Sequence, residues 1–159
     1  MFLCSVRMSK IKLFIIFLVI LAIGIVSVFV LSSMHSGDQA PGQMPAEEMM
    51  MVETNEQRVA FLEYFGWKVI EEPTDACEVL IPNEFDDVFT NYNKIQLDQG
   101  LDLSNCKGQM AIRYTYLVTN YPDGSANVYA HILVIENRVV GGDVSSSELD
   151  GFMHGFLMP

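Results

Sequence analysis

Positive charge is scarce in this sequence. Nine Lys and Arg stand against 20 Asp and Glu in 159 residues, for a formal net charge of −11. Three of the nine, Arg7, Lys10 and Lys12, precede residue 13, and no acidic residue occurs before Asp38. The chain from Asp38 onward therefore carries all of the acid with only six basic side chains. So anionic a surface repels phosphate backbones, and nucleic acid is excluded as a partner. Attraction to cations or basic peptides is compatible with this charge, as is plain solubility.

Cysteine is scarce too. Cys4, Cys77 and Cys106 are too few for the disulfide framework of a small secreted scaffold. A single Cys77–Cys106 bridge would suit an oxidising compartment, and two buried free thiols are the alternative. No H-E-x-x-H, C-x-x-C, Walker-type loop or G-x-S-x-G occurs. Motifs thus assign no catalytic residue, no metal and no cofactor.

What the chain does have is one long apolar run. Leu13 to Leu31 is 19 residues without a charge, interrupted only by Gly24 and Ser27. As a helix it would be about 28 Å long, close to the roughly 30 Å hydrocarbon core of a bilayer. Basic residues before it and none just after predict a cytoplasmic N-terminus and an extracytoplasmic C-terminus. A cleaved signal peptide would have a shorter apolar region ending in small residues of the A-x-A kind, whereas here Ser32, Ser33, Met34 and His35 follow. The expectation is a retained single-pass anchor, with the lipid bilayer as its partner. Met8 is an alternative start, leaving Lys10 and Lys12 inside.

Residues 1–12 then form a basic cytoplasmic end, 13–31 the transmembrane helix and 32–53 a flexible tether rich in Ser, Gly, Pro and Met. The tether methionines with His35 are soft ligands that would suit Cu(I), but their spacing is irregular and flexible filler is a common use of Met. Residues 54–159 remain for one extracytoplasmic domain, enough for a core without staples.

Within that domain Thr54-Asn55-Glu56-Gln57 fits a capping box, followed by Val59, Phe61, Leu62 and Phe65 at helical spacing and Gly66 as a left-handed end. Trp67–Ile70 and Cys77–Ile81 flank Glu71 to Asp75, whose Pro73, Thr74 and Asp75 mark a turn, and are expected to pair as a hairpin. Asn83 is the expected cap of a second helix with a stripe of Phe85, Val88, Phe89, Tyr92 and Ile95, closed by Gly100, with Leu101 and Leu103 folding back. From Met110 the period is two, giving strands to Thr119, over Ala126–Ile135 and over Arg138–Asp143, joined by turns at Pro122–Ser125 and Glu136-Asn137. Gly141-Gly142 marks a bend or bulge. A helical turn is expected around Leu149–Phe156. The fold class is α+β: a two-layer domain of two helices on an antiparallel sheet of about five strands. One sheet face packs both helices, and the other, carrying Arg113, Thr115, Tyr129 and His131, is wetter.

Candidate chemistry is sparse. Asp98-x-Gly100-x-Asp102-x-Ser104 lacks the Gly and closing Glu of a calcium loop and reads as a helix terminus and turn. Neither Glu71-Glu72 nor Asp86-Asp87 makes an acid/base pair, since sequence neighbours point apart. Cys106, His131 and His154 are the ingredients of a thiol site, though their spacing does not require one. The segment Gly141 to Phe156 concentrates glycines, hydroxyls and aromatics around Asp143, Asp150 and His154. These three are the candidate ligand-binding residues, and the first suspects if there is catalysis. A chain end folded over the core is the simpler reading of the same segment.

Several pieces together are familiar: Phe61-Leu62 with Gly66-Trp67, Ile81-Pro82 with Phe85, Tyr92-Asn93 with Gln96, Gln99-Gly100-x-Asp102-Leu103, Tyr114-Thr115-Tyr116, Asn120-Tyr121, and Gly141-Gly142-Asp143 followed by Asp150-Gly151. The stretch from Asn55 to Phe156 resembles an uncharacterised family of small membrane-anchored proteins from anaerobic Gram-positive bacteria, catalogued as a domain of unknown function. The resemblance implies an envelope location and transfers no catalytic residue, cofactor or substrate; in such an anaerobe the Cys77–Cys106 bridge would be disfavoured. The functional expectation is a non-enzymatic envelope module that binds a protein, peptide or wall component. An envelope enzyme with an unrecognised site, or a structural subunit of a membrane complex, are the alternatives.

Overall fold

The computed structural model describes residue 45 and residues 47–159. The apolar run Leu13–Leu31, Cys4, Met34 and His35 lie outside the described residues, and among those described no helix is long and apolar enough to cross a membrane. The ordered elements are α1 (Asn55–Tyr64), β1 (Asp75–Leu80), α2 (Asp87–Asp98), β2 (Met110–Leu117), β3 (Val128–Ile135), β4 (Arg138–Ser146) and β5 (Met153–His154), with short 3-10 turns at Glu47–Met50 and Leu103–Cys106. The strands form one antiparallel sheet in the order β1-β2-β3-β4-β5. Two helices against a five-stranded antiparallel sheet is the α+β class that the sequence pattern gives.

Helix α1 begins where the capping box places it. Thr54 Oγ1 accepts from Gln57 N–H, and Gln57 Oε1 accepts from Thr54 N–H. Phe61 and Leu62 are fully buried, and Gly66 takes the left-handed φ of +88° that closes the helix. The buried member that apolar periodicity misses is Arg58. Its Nε donates to Tyr116 Oη, its Nη1 reaches the carbonyls of Val52 and Glu53, and its guanidinium lies 3.9 Å over the Tyr114 ring. Packing accordingly reaches upstream of Thr54: Met50 and Val52 are buried, Val52 N–H donates to Asn137, and Met51 bridges Arg138.

Helix α2 starts later than Asn83. Asp86 is its cap, the carboxylate accepting from Phe89 N–H at 2.7 Å. Val88, assigned to the apolar stripe, is 77% exposed, and the inward positions include Asn93 and Gln96. Amides can occupy a buried face when their hydrogen bonds are met inside it. Asn93 donates to Asp102 Oδ1 and accepts from Leu103 N–H, which holds the chain after the helix against it. Leu103 is fully buried, as the fold-back expectation requires.

The expected Trp67–Ile70/Cys77–Ile81 hairpin does not form. Both segments run antiparallel to β2 instead, Val69 bridging Val118 and Asp75 to Leu80 pairing Thr115 to Met110. Together they make one interrupted edge, with Glu71–Thr74 as the interruption. Pro73 lacks the N–H a continuous ladder would need, which explains the break. The C-terminal stretch is extended where a helical turn was expected. Its β5 pairs Val144 with His154 and Ser145 with Met153.

The two sheet faces follow from the period of two, but both are covered. Tyr116, Val128, Ala130, Ile132, Val134, Val139 and Val144 join Phe61, Leu62, Trp67 and Phe156 under α1. On the opposite face Ala111 and Leu133 join Ile81 and Leu103, with Phe85, Phe89 and Tyr92 at the start of α2 and along it packed against them. The helices thus sit on opposite faces, and the face read as wetter is the α2 face. Its polar residues bond largely to one another, Thr115 to His131, Tyr92 to Asp143 and Arg113 to Asp75, which offsets most of the cost of covering them. Glu136 and Asn137 take φ of +49° and +63° in the β3–β4 turn. The register shift opposite Leu133/Val134 falls at Val140, one residue ahead of the glycine pair.

Gly142 is fixed by space. A Cβ there would overlap the His131 carbonyl oxygen and the Phe156 ring, both held by the core. We expect Gly142→Ala to lower stability by about 2–3 kcal/mol, the upper range for overpacking a filled core. A urea midpoint within error of the parent would refute that close approach.

Candidate functional site

Register alone aligns four polar residues across four strands on the α2 face. Asp75 is opposite Thr115, Thr115 opposite His131, and His131 opposite Asp143. Thr115 Oγ1 and His131 Nδ1 are 3.0 Å apart. Tyr92 comes down from α2 and donates its hydroxyl to Asp143 Oδ1 at 2.9 Å. Arg113, beside the row, reaches Asp75 at 3.4 Å, a half-exposed ion pair of little energetic weight. Asp143 is 3% exposed, and among the described residues neither its buried Oδ2 nor the buried Arg113 Nε has a hydrogen-bond partner.

Burial governs the electrostatics of this row. It holds the His131 imidazole below its usual range, with Asp143 pulling up, Arg113 down and Asp75 up. Burial and the adjacent Asp143 carboxylate push the Tyr92 hydroxyl well above the usual phenol value, so it stays a donor. Thr115 is buried, which denies it the access a nucleophile needs. The arrangement is a polar network that fastens α2 to β4.

The residues singled out from sequence are dispersed. Asp143 lies in that row under α2. Asp150 is exposed in the β4–β5 connection. His154 pairs with Val144, whose side chain belongs to the opposite face, and it contacts the rings of Trp67, Tyr121 and Phe152. Its Nδ1 donates to the Gly155 carbonyl, and its Nε2 lies 3.2 Å from Tyr121 Oη. The three do not meet in one pocket. His131 and His154 likewise occupy opposite faces, and Cys77 and Cys106 are free thiols, that of Cys106 raised by burial and by Asp102. Asp102 caps the 3-10 turn, accepting from Asn93 and Ser104, and those bonds hold its carboxyl below the usual range. Among the described residues no group of three or more His, Cys, Asp or Glu is arranged to hold a metal.

A cleft of about 380 Å³ lies between the C-terminal half of α2 and the end of the chain. Ile95, Asp98 and Gln99 form one wall; Met153, His154, Gly155, Leu157, Met158 and Pro159 form the other. Met153 is 51% exposed and Leu157 44%, so apolar surface is presented at its mouth. Sequence reasoning named His154 here but missed Asp98, Gln99 and Met153. The signal for them is topological, since only the pairing of β5 on β4 brings that segment beside α2.

The fold and cleft define a small α+β domain whose antiparallel sheet is covered on both faces and ends in a two-residue edge strand. The model of the family described as Domain of unknown function (DUF4830) matches residues 61–144, slightly more than half of the chain. The chain belongs to that family. No curated protein and no solved structure matches it. The matched region contains the polar row and the α2 wall of the cleft, while β5 lies beyond it.

The His131 environment predicts a pH dependence. Unfolded, this histidine titrates near the ordinary value of about 6.5; folded, burial holds it lower. Between the two values the unfolded chain binds the extra proton, so stability rises with pH. The contribution is full above about pH 6.5, is lost as pH falls toward the folded value, and is level below it. We expect His131→Gln to flatten the loss of stability between neutral and mildly acidic pH, measured as urea midpoints for parent and variant. Parallel midpoints at every pH would contradict the burial of this ring.

Proposed function

We propose that this protein is a single-pass membrane-anchored interaction module, its N-terminus cytoplasmic and its acidic domain binding an envelope protein or peptide outside the cytoplasm. The anchor reading rests on the uncharged run Leu13–Leu31 with Arg7, Lys10 and Lys12 on its near side and an acid-rich chain beyond. The binding reading rests on one observation: Met153 and Leu157 present apolar surface around a preformed cleft. The polar residues first suspected of chemistry are dispersed, and Asp143 is engaged in holding α2.

An envelope enzyme is the second reading, favoured by the unpartnered Oδ2 of buried Asp143 beside His131. That pair would need substrate access under α2, and Thr115 and Asp143 are both buried there.

Two measurements test the proposal. Protease added to intact cells should digest residues 54–159 of the full chain; protection of that portion overturns the topology. Crosslinking in native membranes should attach the domain to a partner protein or peptide. Free-standing protein at every crosslinker length overturns the binding role.

A further inference from the structure

The register at the end of the sheet carries an inference that deepens this reading and rests on it. Ser146 N–H donates to the Phe152 carbonyl at 3.0 Å, so Ser146 and Phe152 form a hydrogen-bonded pair. In an antiparallel ladder such pairs alternate with pairs whose N–H and C=O groups point outward. Val144↔His154 is therefore the next hydrogen-bonded pair, and at Ser145↔Met153 the Met153 amide and carbonyl point away from β4. Among the described residues nothing bonds to them. The Met153 side chain shares the face of Ser145, which is the α2 face, and lines the cleft with Ile95 and Asp98.

An open strand edge at the wall of an apolar cleft is an arrangement in which an extended peptide adds as a further strand, its alternate side chains entering the cleft. The electrostatics select among peptides. Among the described residues the cleft lining contains Asp98 and no Lys or Arg. It lies at the carbonyl end of α2, where helix dipoles favour a cation. Lys94, one turn earlier, donates to Asn91. The domain around it is strongly acidic. We infer that the cleft between α2 and β5 binds an extended peptide of another protein by strand addition on Met153, with an apolar side chain in the cleft and a Lys or Arg against Asp98.

The test uses the full chain in detergent micelles and a fluorescent acetylated octapeptide, Val-Thr-Lys-Thr-Val-Thr-Lys-Thr, whose valines and lysines share one strand face. Saturable binding is expected, weakening as salt is raised. The same peptide with glutamate in place of lysine should bind at least tenfold more weakly, and so should one with proline at alternate positions, which removes the strand donors. Met153→Pro removes the outward N–H together with the side chain that lines the cleft and should weaken binding tenfold or more. Asp98→Lys, an exposed helix change, should weaken the lysine peptide and improve the glutamate one. Equal binding of all three peptides, or indifference to both substitutions, overturns the assignment. A photocrosslinker at Met153 should capture the peptide; capture of the tether or of a second copy instead overturns the proposed occupant. In native membranes, crosslinks to a partner from Leu80 or Ile112 but not from Met153 or Leu157 would reject the cleft and keep the interaction module. Absence of a partner from all four positions would reject both.

Discussion

Gly142 pairs with Ile132 of β3 on one side, but its N–H and C=O point to the outer side of β4, where two glutamine side chains take the place of a strand. Its N–H donates to Gln96 Oε1 at 2.8 Å, and its carbonyl accepts from Gln99 Nε2 at 2.9 Å. The same Gln99 Nε2 donates to Gln96 Oε1, and Gln99 Oε1 accepts from Phe156 N–H. Two amides one helical turn apart thus behave as a piece of β-strand. They tie α2 to the sheet and the sheet to the chain end. Phe156 then inserts its ring beside Phe61 and Phe65, and its carbonyl accepts from Trp67 Nε1 at 2.6 Å. A buried backbone group left unpaired costs about 1–3 kcal/mol. Losing either glutamine would strand at least one such group and loosen both faces. The arrangement has its own cost, because Gln96 Nε2 is buried without a partner among the described residues.

This clamp explains how a sheet with so much polar surface can be covered on both faces. The α1 face is held by apolar contact, each fully buried large side chain contributing about 1.5–3 kcal/mol. The α2 face has a smaller apolar cluster, and the Asp75–Thr115–His131–Asp143 row crosses beside it. Apolar area alone would hold α2 weakly there. Tyr92 on Asp143, Asn93 on Leu103 and Asp102, and the two glutamines on Gly142 supply directional contacts along the helix. A buried polar network of this kind fixes one position for the helix, whereas a greasy face would permit several.

Elements governed by local chemistry were legible in the sequence: the capping box at Thr54, the left-handed Gly66 and Gly100, the turn at Glu136-Asn137 and the alternation along β2 and β3. Elements governed by distant contacts were not. Val88 belongs to an apolar stripe by spacing yet faces out, because two inward positions of α2 go to amides, Gln96 bonded to Gly142 far along the chain and Asn93 to the loop after the helix. Trp67–Ile70 and Cys77–Ile81 read as each other's partners because they are near in sequence, yet both are satisfied by β2. The C-terminal stretch looked helical around Leu149–Phe156, but β4 needed a neighbour at Val144 and Ser145. Of the candidate site, His154 was legible as a residue type among glycines and aromatics. Its separation from Asp143 was not, because that depends on which side of one ladder each residue occupies.

An exposed sheet edge invites further strands, and the way each edge is managed limits where a partner can add. The β1 edge presents Asp75 and Glu78 to solvent and is interrupted at Pro73, so charge and a missing donor oppose extension there. The outer side of β4 is closed at its start by Met51 and Val52, at its middle by Gln96 and Gln99, and at its end by β5. Among the described residues what remains is the outer side of β5, where Met153 offers an amide and a carbonyl at the wall of a cleft. So short an edge provides few backbone hydrogen bonds, each worth about 0.5–1.5 kcal/mol net. Affinity at this place must therefore come from side chains entering the cleft. An edge this short also discriminates against indiscriminate strand pairing, since a partner without matching side chains gains too little from the backbone alone.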